Sequence, residues 1–412
     1  MHSTSVVLLT CLVAIAVSAN PIVIRDNLVR LPLARQINVT SPAHIVKADQ
    51  ARAAALISKA LAKSSGKLNQ DAVISSPAQN QAVSYIASVA VGSPSTTFDL
   101  IIDTGSSNTW VGAGTAFKRT STTTQTKDSV SVTYGSGSFS GTEFTDQVSL
   151  GSGLTIKKQS IGVASKSTGF DGVDGILGIG PVDLTLQTLS PDTGSTIPTV
   201  VDNLFTQGTI SSHSIAVSFE PTTSATANNG ELTFGGTDSS KFTGSITFAP
   251  ITSTSPANEF WGINQSIRLG TSTSILSNTA GIVDTGTTLV LIATDAFNRY
   301  KSATGAVLDN NTGLLRLTTA KFNTLPSLFF TIAGTTFEFT ANAQAWPRSL
   351  NTLIGGTAGN VYLVVADLGS NTGSGLDFIN GQTFLERFYS VFDTANKRVG
   401  IAKTPFTTAT SN

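Results

Sequence analysis

The tripeptide Asp-Thr-Gly occurs twice, at Asp103-Thr104-Gly105 and Asp284-Thr285-Gly286, each time behind an apolar run and ahead of hydroxyl residues. The first copy reads Leu100-Ile101-Ile102-Asp103-Thr104-Gly105-Ser106-Ser107 and the second Gly281-Ile282-Val283-Asp284-Thr285-Gly286-Thr287-Thr288. One such triplet suits an ordinary strand-end turn, because glycine and short polar residues close turns. Recurrence with matching flanks restricts the fold to a plan in which two related halves each present one carboxylate. At 412 residues and 40% hydrophobic content, the chain has material for two medium domains with real cores.

From about Asp71 onward, short apolar β-formers alternate with Ser, Thr and Gly, as in Val130-Ser131-Val132-Thr133-Tyr134 and Gly244-Ser245-Ile246-Thr247-Phe248. This period-two pattern predicts a mainly β protein. Helical stretches are few: 197–207, 293–303 and 383–388. Asn229-Gly230 reads as a tight hairpin turn. No long linker separates the halves, so they are expected to share a sheet, with a boundary near Ser245. The segment from Tyr134 through Gly135-Ser136-Gly137 to Thr142 reads as a glycine-flanked β-hairpin. It suits a mobile flap or a plain surface hairpin, and a phosphate loop is a poor fit because no Lys follows and no helix begins there.

Residue counts narrow the chemistry. The one cysteine, Cys11, lies in the apolar run Val6 to Val17, which is too short to span a bilayer and is followed by the small residues Val17-Ser18-Ala19. Residues 1–19 are expected to be a secretory signal, although no Lys or Arg precedes Val6. The product would then be extracellular, without a disulfide or a reactive thiol. Of three histidines only His213 lies beyond residue 44. A Cys-His enzyme is excluded, and a Ser-His-Asp triad would have to use His213, where no Gly-x-Ser-x-Gly turn occurs. No metal site or cofactor is expected.

The balance of 25 basic against 25 acidic residues conceals an uneven distribution. Residues 20–70 hold Arg25, Arg30, Arg35, Lys47, Arg52, Lys59, Lys63 and Lys67 beside only Asp26 and Asp49, so the remainder is acidic. A nucleic-acid arm is one reading of a basic segment, but this one has no interleaved aromatics and sits in an exported chain. A removable propeptide over residues 20–71, helical between His44 and Lys63 and complementary to an acidic cleft, fits better.

The two Asp-Thr-Gly copies join other ordered landmarks. These are Trp110 seven residues after Asp103, Tyr134-Gly135-Ser136-Gly137-Ser138, Phe170-Asp171-Gly172-Val173-Asp174-Gly175-Ile176-Leu177-Gly178, Phe234-Gly235-Gly236, Phe260-Trp261, Phe388-Tyr389-Ser390-Val391-Phe392-Asp393 and Val399-Gly400-Ile401-Ala402. With them the body, from about Ala72 onward, resembles the pepsin family of aspartic endopeptidases. The resemblance implies a bilobal pepsin-like fold: two pseudo-symmetric β-barrel-like lobes, 72–245 and 246–412, with a cleft between them.

It also implies roles. Asp103 and Asp284 would activate water between them, sharing one proton because like charges a few ångströms apart do not both ionise cheaply. Thr104 and Thr285 would bond across the lobes, Gly105 and Gly286 would let amides approach the carboxylates, and Ser106 and Thr287 would hold their outer oxygens. Tyr134, Gly135 and Ser136 would form the flap, with Tyr134 bonding Trp110. Ile101 and Thr288 would contact substrate. Ser136 stands where some fungal relatives carry an Asp that accepts Lys before the cleaved bond, so apolar residues around that bond are expected to be preferred.

Proteins and peptides would be substrates and pepstatin-type compounds inhibitors of a monomer that binds neither nucleic acid nor membrane. Its own propeptide would inhibit it through a lysine on the dyad, with Lys47, Lys59, Lys63 and Lys67 as candidates. One departure from the family is Ile379-Asn380-Gly381, with Asn where an aliphatic residue is usual. The alternatives are a catalytically dead pepsin-like binding protein, which would damage an Asp-Thr-Gly or the flap Tyr, and a carboxylate-pair glycosidase. Three glycosylation sequons stand at Asn38, Asn264 and Asn310.

Overall fold

The computed structural model describes residues 28–37, 44–64, 83–135, 137–151 and 153–411. The expected signal segment, the processing region near residue 71, Asn38, Lys67 and Ser136 lie outside them.

Alternating strands assemble into a 14-stranded sheet that takes strands from both halves, a seven-stranded sheet in the C-terminal half and a small three-stranded sheet. The large sheet includes Ser214–Phe219 and Thr226–Phe234 from the first half and Phe388–Asp393 and Arg398–Lys403 from the second. The strand Thr243–Pro250, which carries Ser245, forms one edge of it. Helices form at Val200–Thr206, Thr294–Thr304 and Gln382–Leu385. The first begins with a capping box, in which the Thr199 hydroxyl accepts from Asp202 N while Thr199 N donates to the Asp202 carboxylate.

Asn229-Gly230 is a bulge inside a strand instead of a hairpin turn. Leu33 pairs with Gly230 and Ala34 with Asn228, which leaves Asn229 as the extra residue. A β-carbon on Gly230 would lie 2.8 Å from the Tyr85 ring and 2.9 Å from the Leu33 side chain, so the glycine serves close approach here. The pairing partner lies far away in sequence, and local turn chemistry could not reveal it.

That partner belongs to the basic leader. Its strand, Val29–Ile37, sits between Thr226–Phe234 and Val83–Val91 in the interior of the large sheet. Its helix, His44–Ser64, buries Ile45, Asp49, Arg52, Ala53, Leu56 and Ala60 along one face. Ion pairs tie the leader to the acidic body: Arg30 to Asp238 at 2.7 Å, Arg35 to Glu386 at 3.0 Å and Lys63 to Glu259 at 2.5 Å. The helix points its remaining buried charges at the paired Asp-Thr-Gly loops.

Candidate active site

Each Asp-Thr-Gly loop leaves the end of a strand that pairs in parallel with a short support segment. In the first half Thr96–Asp103 runs beside Gly175–Gly178, with Asp103 opposite Gly178. In the second Thr273–Val283 runs beside Phe378–Asn380, and Asp284 N donates to Asn380 O at 3.1 Å. Each support is followed or closed by a glycine over which the loop crosses: a β-carbon on Gly178 would lie 2.5 Å from the Ser107 backbone, and one on Gly381 would lie 2.3 Å from Leu289 O. The two supports differ in one side chain. Leu177 is apolar, whereas the fully buried Asn380 closes a reciprocal amide pair with Gln265, Asn380 Nδ2 donating to Gln265 Oε1 at 2.8 Å and Gln265 Nε2 to Asn380 Oδ1 at 3.1 Å.

The loops meet across the interface between halves. Thr104 N donates to Thr285 Oγ1 at 3.0 Å and Thr285 N to Thr104 Oγ1 at 2.9 Å, while the two hydroxyls donate to Val283 O and Ile102 O. Asp103 and Asp284 are both fully buried. Gly105 N and Ser106 Oγ donate to Asp103 at 2.9 and 2.5 Å, and Gly286 N and Thr287 Oγ1 donate to Asp284 at 3.1 and 2.6 Å. A β-carbon on Gly105 would approach Asp284 Oδ1 to 2.7 Å, and one on Gly286 would approach Asp103 Oδ1 to the same distance. Glycine at these two positions lets each carboxylate face the opposite loop.

The cation at this pair is Arg52, not a lysine. Its Nη2 donates to Asp103 Oδ1 at 2.5 Å and to Asp284 Oδ1 at 2.9 Å, and its Nε donates to Asp284 Oδ2 at 2.7 Å. A planar fork bonds two carboxylates at once, which a single ammonium does less well. Among the expected lysines, Lys47 is exposed, Lys63 pairs with Glu259, and Lys59 faces Asp103 from seven residues further along the helix. Burial holds Lys59 down at about 8 against the pull of Asp103. Burial raises the Asp284 carboxyl, but the Arg52 charge and the bonds from Arg52, Thr287 and Gly286 outweigh it and leave the group below its ordinary value. Burial also disfavours the Arg52 cation, yet the two aspartates raise its pKa above the usual guanidinium value.

Asp49, which the sequence reading counted only as an acid in the leader, is buried one helical turn before Arg52. It accepts from Thr288 N at 3.1 Å and Leu289 N at 2.8 Å. The available signal was its isolation: it is the one acid of a basic helix, at the i, i+3 spacing that shares a face with Arg52.

The hairpin at 134–142 forms as expected, Thr124–Tyr134 pairing with Gly137–Ser149 and Tyr134 lying opposite Gly137. Ile101, Trp110, Tyr134, Phe139, Phe170 and Ile176 pack into one buried cluster, with Trp110 stacked on Phe139 at 4.2 Å and Phe170 set edge-on to both Trp110 and Tyr134. The Tyr134 hydroxyl is buried beside Trp110 and Ser106, whose side chains offset part of the rise that burial gives its pKa. The leader helix occupies the space beneath the hairpin, where a β-carbon on Gly135 would lie 2.1 Å from the Arg52 backbone. His213 pairs with Asp202 at 2.7 Å and stacks on Phe205.

Two buried aspartates in mirrored loops, each supported by a hydroxyl and a glycine amide, define the class of two-carboxylate hydrolases. Residues 84–404 match the family described as eukaryotic aspartyl protease. The chain is 72% identical to polyporopepsin of Irpex lacteus over 82% of its own length and 98% of the relative's. It is 34% identical to rhizopuspepsin-1 of Rhizopus niveus, covering 78% of this chain and 79% of that one. The crystal structure of the aspartic proteinase from Irpex lacteus superposes with a TM-score of 0.80 and 62% identity over 93% of this chain and all of that one. The chain therefore belongs to the eukaryotic aspartyl protease family, and is an aspartic endopeptidase of the pepsin type that acts on proteins and peptides.

Proposed function

We propose that Asp103 and Asp284 are the catalytic pair of a secreted, acid-active endopeptidase made as a zymogen. The observation that carries this reading is that one guanidinium bonds both carboxylates at once, so a group the size of a water molecule or a peptide carbonyl meets both acids together. With one shared proton, the ionised member takes a proton from water as that water attacks the scissile carbonyl. The protonated member donates to the carbonyl oxygen, giving a noncovalent tetrahedral diol, and a proton then passes to the departing amine. Ser106 and Thr287 hold the outer oxygens, Thr104 and Thr285 fix the spacing of the loops, and Tyr134 closes over the peptide once the leader is gone.

Asp103→Asn is expected to abolish pepstatin-sensitive digestion of haemoglobin or casein at pH 3 to 5 and to stop the full chain from maturing in acid without another protease. Normal maturation of that variant would refute autoprocessing.

The zymogen reading rests on the leader's contacts: Arg52 lies on the dyad and three further basic side chains pair with body carboxylates. Segment 20–71 would leave, and 72–245 and 246–412 would remain as the two lobes. Secretion rests on the apolar run and small residues ending near Ala19. Uncharged Ser136 motivates a preference for apolar residues over Lys before the cleaved bond, and equal kcat/KM for matched Phe and Lys peptides would overturn it. Asn310, exposed in a polar turn, is the better glycan acceptor. Asn264 is also exposed, but lies mid-strand with its Oδ1 already accepting from Thr252.

A further inference from the structure

Of the charged side chains that the leader helix brings to the cleft, Lys59 faces Asp103 and Arg52 bonds both aspartates. Asp49 projects from the same face one turn earlier, about 4.5 Å along the axis. Its two oxygens are divided between consecutive backbone amides, Oδ1 on Thr288 N and Oδ2 on Leu289 N. These amides follow directly on Asp284-Thr285-Gly286-Thr287, so the loop that carries Asp284 is gripped at both ends. Arg52 bonds its carboxylate, and Asp49 bonds the backbone four and five residues later. Gln50 adds a third contact on that side, its Nε2 donating to Asp367 O at 2.9 Å.

We propose that Asp49 is the depth stop of the leader: a positioning residue whose seat on the Thr288 and Leu289 amides sets the helix at the height where the Arg52 fork reaches both aspartates. A guanidinium on a long side chain adopts many poses, and a second fixed point one helical turn away removes most of them. This inference rests on the reading of the leader as an inhibitor, and adds to it a contact that touches neither carboxylate of the dyad.

The seat also has a pH dependence of definite sign. The charged groups facing Asp49 are Arg52 on its own helix and Asp284 on the gripped loop. Burial pushes the Asp49 carboxyl up to about 7, against the two amide bonds and Arg52, which lower it, while Asp284 raises it. A carboxyl raised by docking takes up a proton as the leader docks. Its contribution is fully present below its ordinary carboxylate range and is lost as pH rises through about 7. Acid thus loosens the leader at the dyad and retains it at Asp49. The leader's hold weakens on the alkaline side as well as the acid side.

Three variants of the full chain test this. Asp49→Ala removes the seat. Amide hydrogen exchange at Thr288 and Leu289 is expected to rise by about tenfold or more at pH 6, the scale of losing two buried hydrogen bonds, and leader removal in acid is expected to quicken. Asp49→Asn does not ionise. It keeps one acceptor oxygen and places a donor NH2 where the second stood, so it is expected to protect only one of the two amides, equally at pH 4 and pH 8, whereas wild-type protection of both falls as pH rises through about 7. Arg52→Ala separates this inference from its foundation. If Arg52→Ala fails to hasten processing, the inhibitory reading of the leader falls. If Arg52→Ala hastens it while Asp49→Ala leaves exchange and processing unchanged, the depth stop falls.

Discussion

Asn380 stands where the pseudo-symmetric position in the other half is the apolar Leu177, and its partner Gln265 reaches it from a different strand. Each amide satisfies the other, so the pair carries no exposed polar atom beneath Asp284. Removing one partner leaves a buried amide without its bonds, which costs about 1–3 kcal/mol, whereas replacing both by apolar groups of similar shape is nearly neutral. Asn380→Leu is therefore expected to lower the denaturation midpoint, and Gln265→Leu with Asn380→Leu to recover most of the loss. A single variant as stable as wild type in urea denaturation would contradict this. The odd residue was visible in the sequence as a departure from pattern. Its partner was not, because Gln265 becomes a neighbour only when Gly262–Leu269 joins the second sheet.

At the scale of elements, the leader helix sets two buried charges, Asp49 and Arg52, into the same face as its apolar residues. The spacing of Ala and Leu between His44 and Lys63 was enough to foresee the helix, and the element runs from His44 to Ser64. Its phase was not foreseeable, and phase decides which cation reaches the dyad. Four lysines drew attention, while Arg52 shares the buried face with Asp49, Ala53 and Leu56. Because the fork spans both carboxylates, Arg52→Lys is expected to hold the leader less well than Arg52 and better than Arg52→Ala. The rate of leader loss at pH 5 is expected to rise in that order, by about tenfold for the alanine variant. Equal rates for Lys and Arg would show that charge alone suffices. The Asn229-Gly230 bulge shows the same limit: its local signal was real, but a leader strand from another part of the chain claimed it.

Across the whole molecule, burial also sets the charge of a carboxyl far from the aspartate pair. Glu143 is buried, with one oxygen accepting from Ser160 and the other unbonded, and burial pushes its carboxyl up to about 7 despite the Ser160 bond, with Asp128 adding to the rise. A raised carboxyl gives stability that is complete below its unfolded value, near 4.5, and lost as pH climbs through about 7. The expected loss over that interval is a few kcal/mol. Glu143→Gln, which cannot ionise, is expected to flatten the fall in melting temperature between pH 4.5 and 7. A variant whose melting curve tracks wild type across that range would remove Glu143 as the cause. The global plan was legible early, because the duplicated loops, period-two strands and family landmarks all agree. The shared 14-stranded sheet depends on pairings between distant segments and was foreseen only in outline.

The position of Val29–Ile37 inside that sheet has a mechanical consequence. Cutting the leader away removes an interior strand, not an edge. It leaves Thr226–Phe234 and Val83–Val91 as facing rims with unanswered backbone donors and acceptors, and Glu386 without its arginine. Such a slot invites whatever extended chain is nearest, whether from the same molecule or from a neighbour. If the leader is removed as proposed, maturation would be a refolding event as much as a proteolytic one, and its fidelity would depend on which strand arrives first.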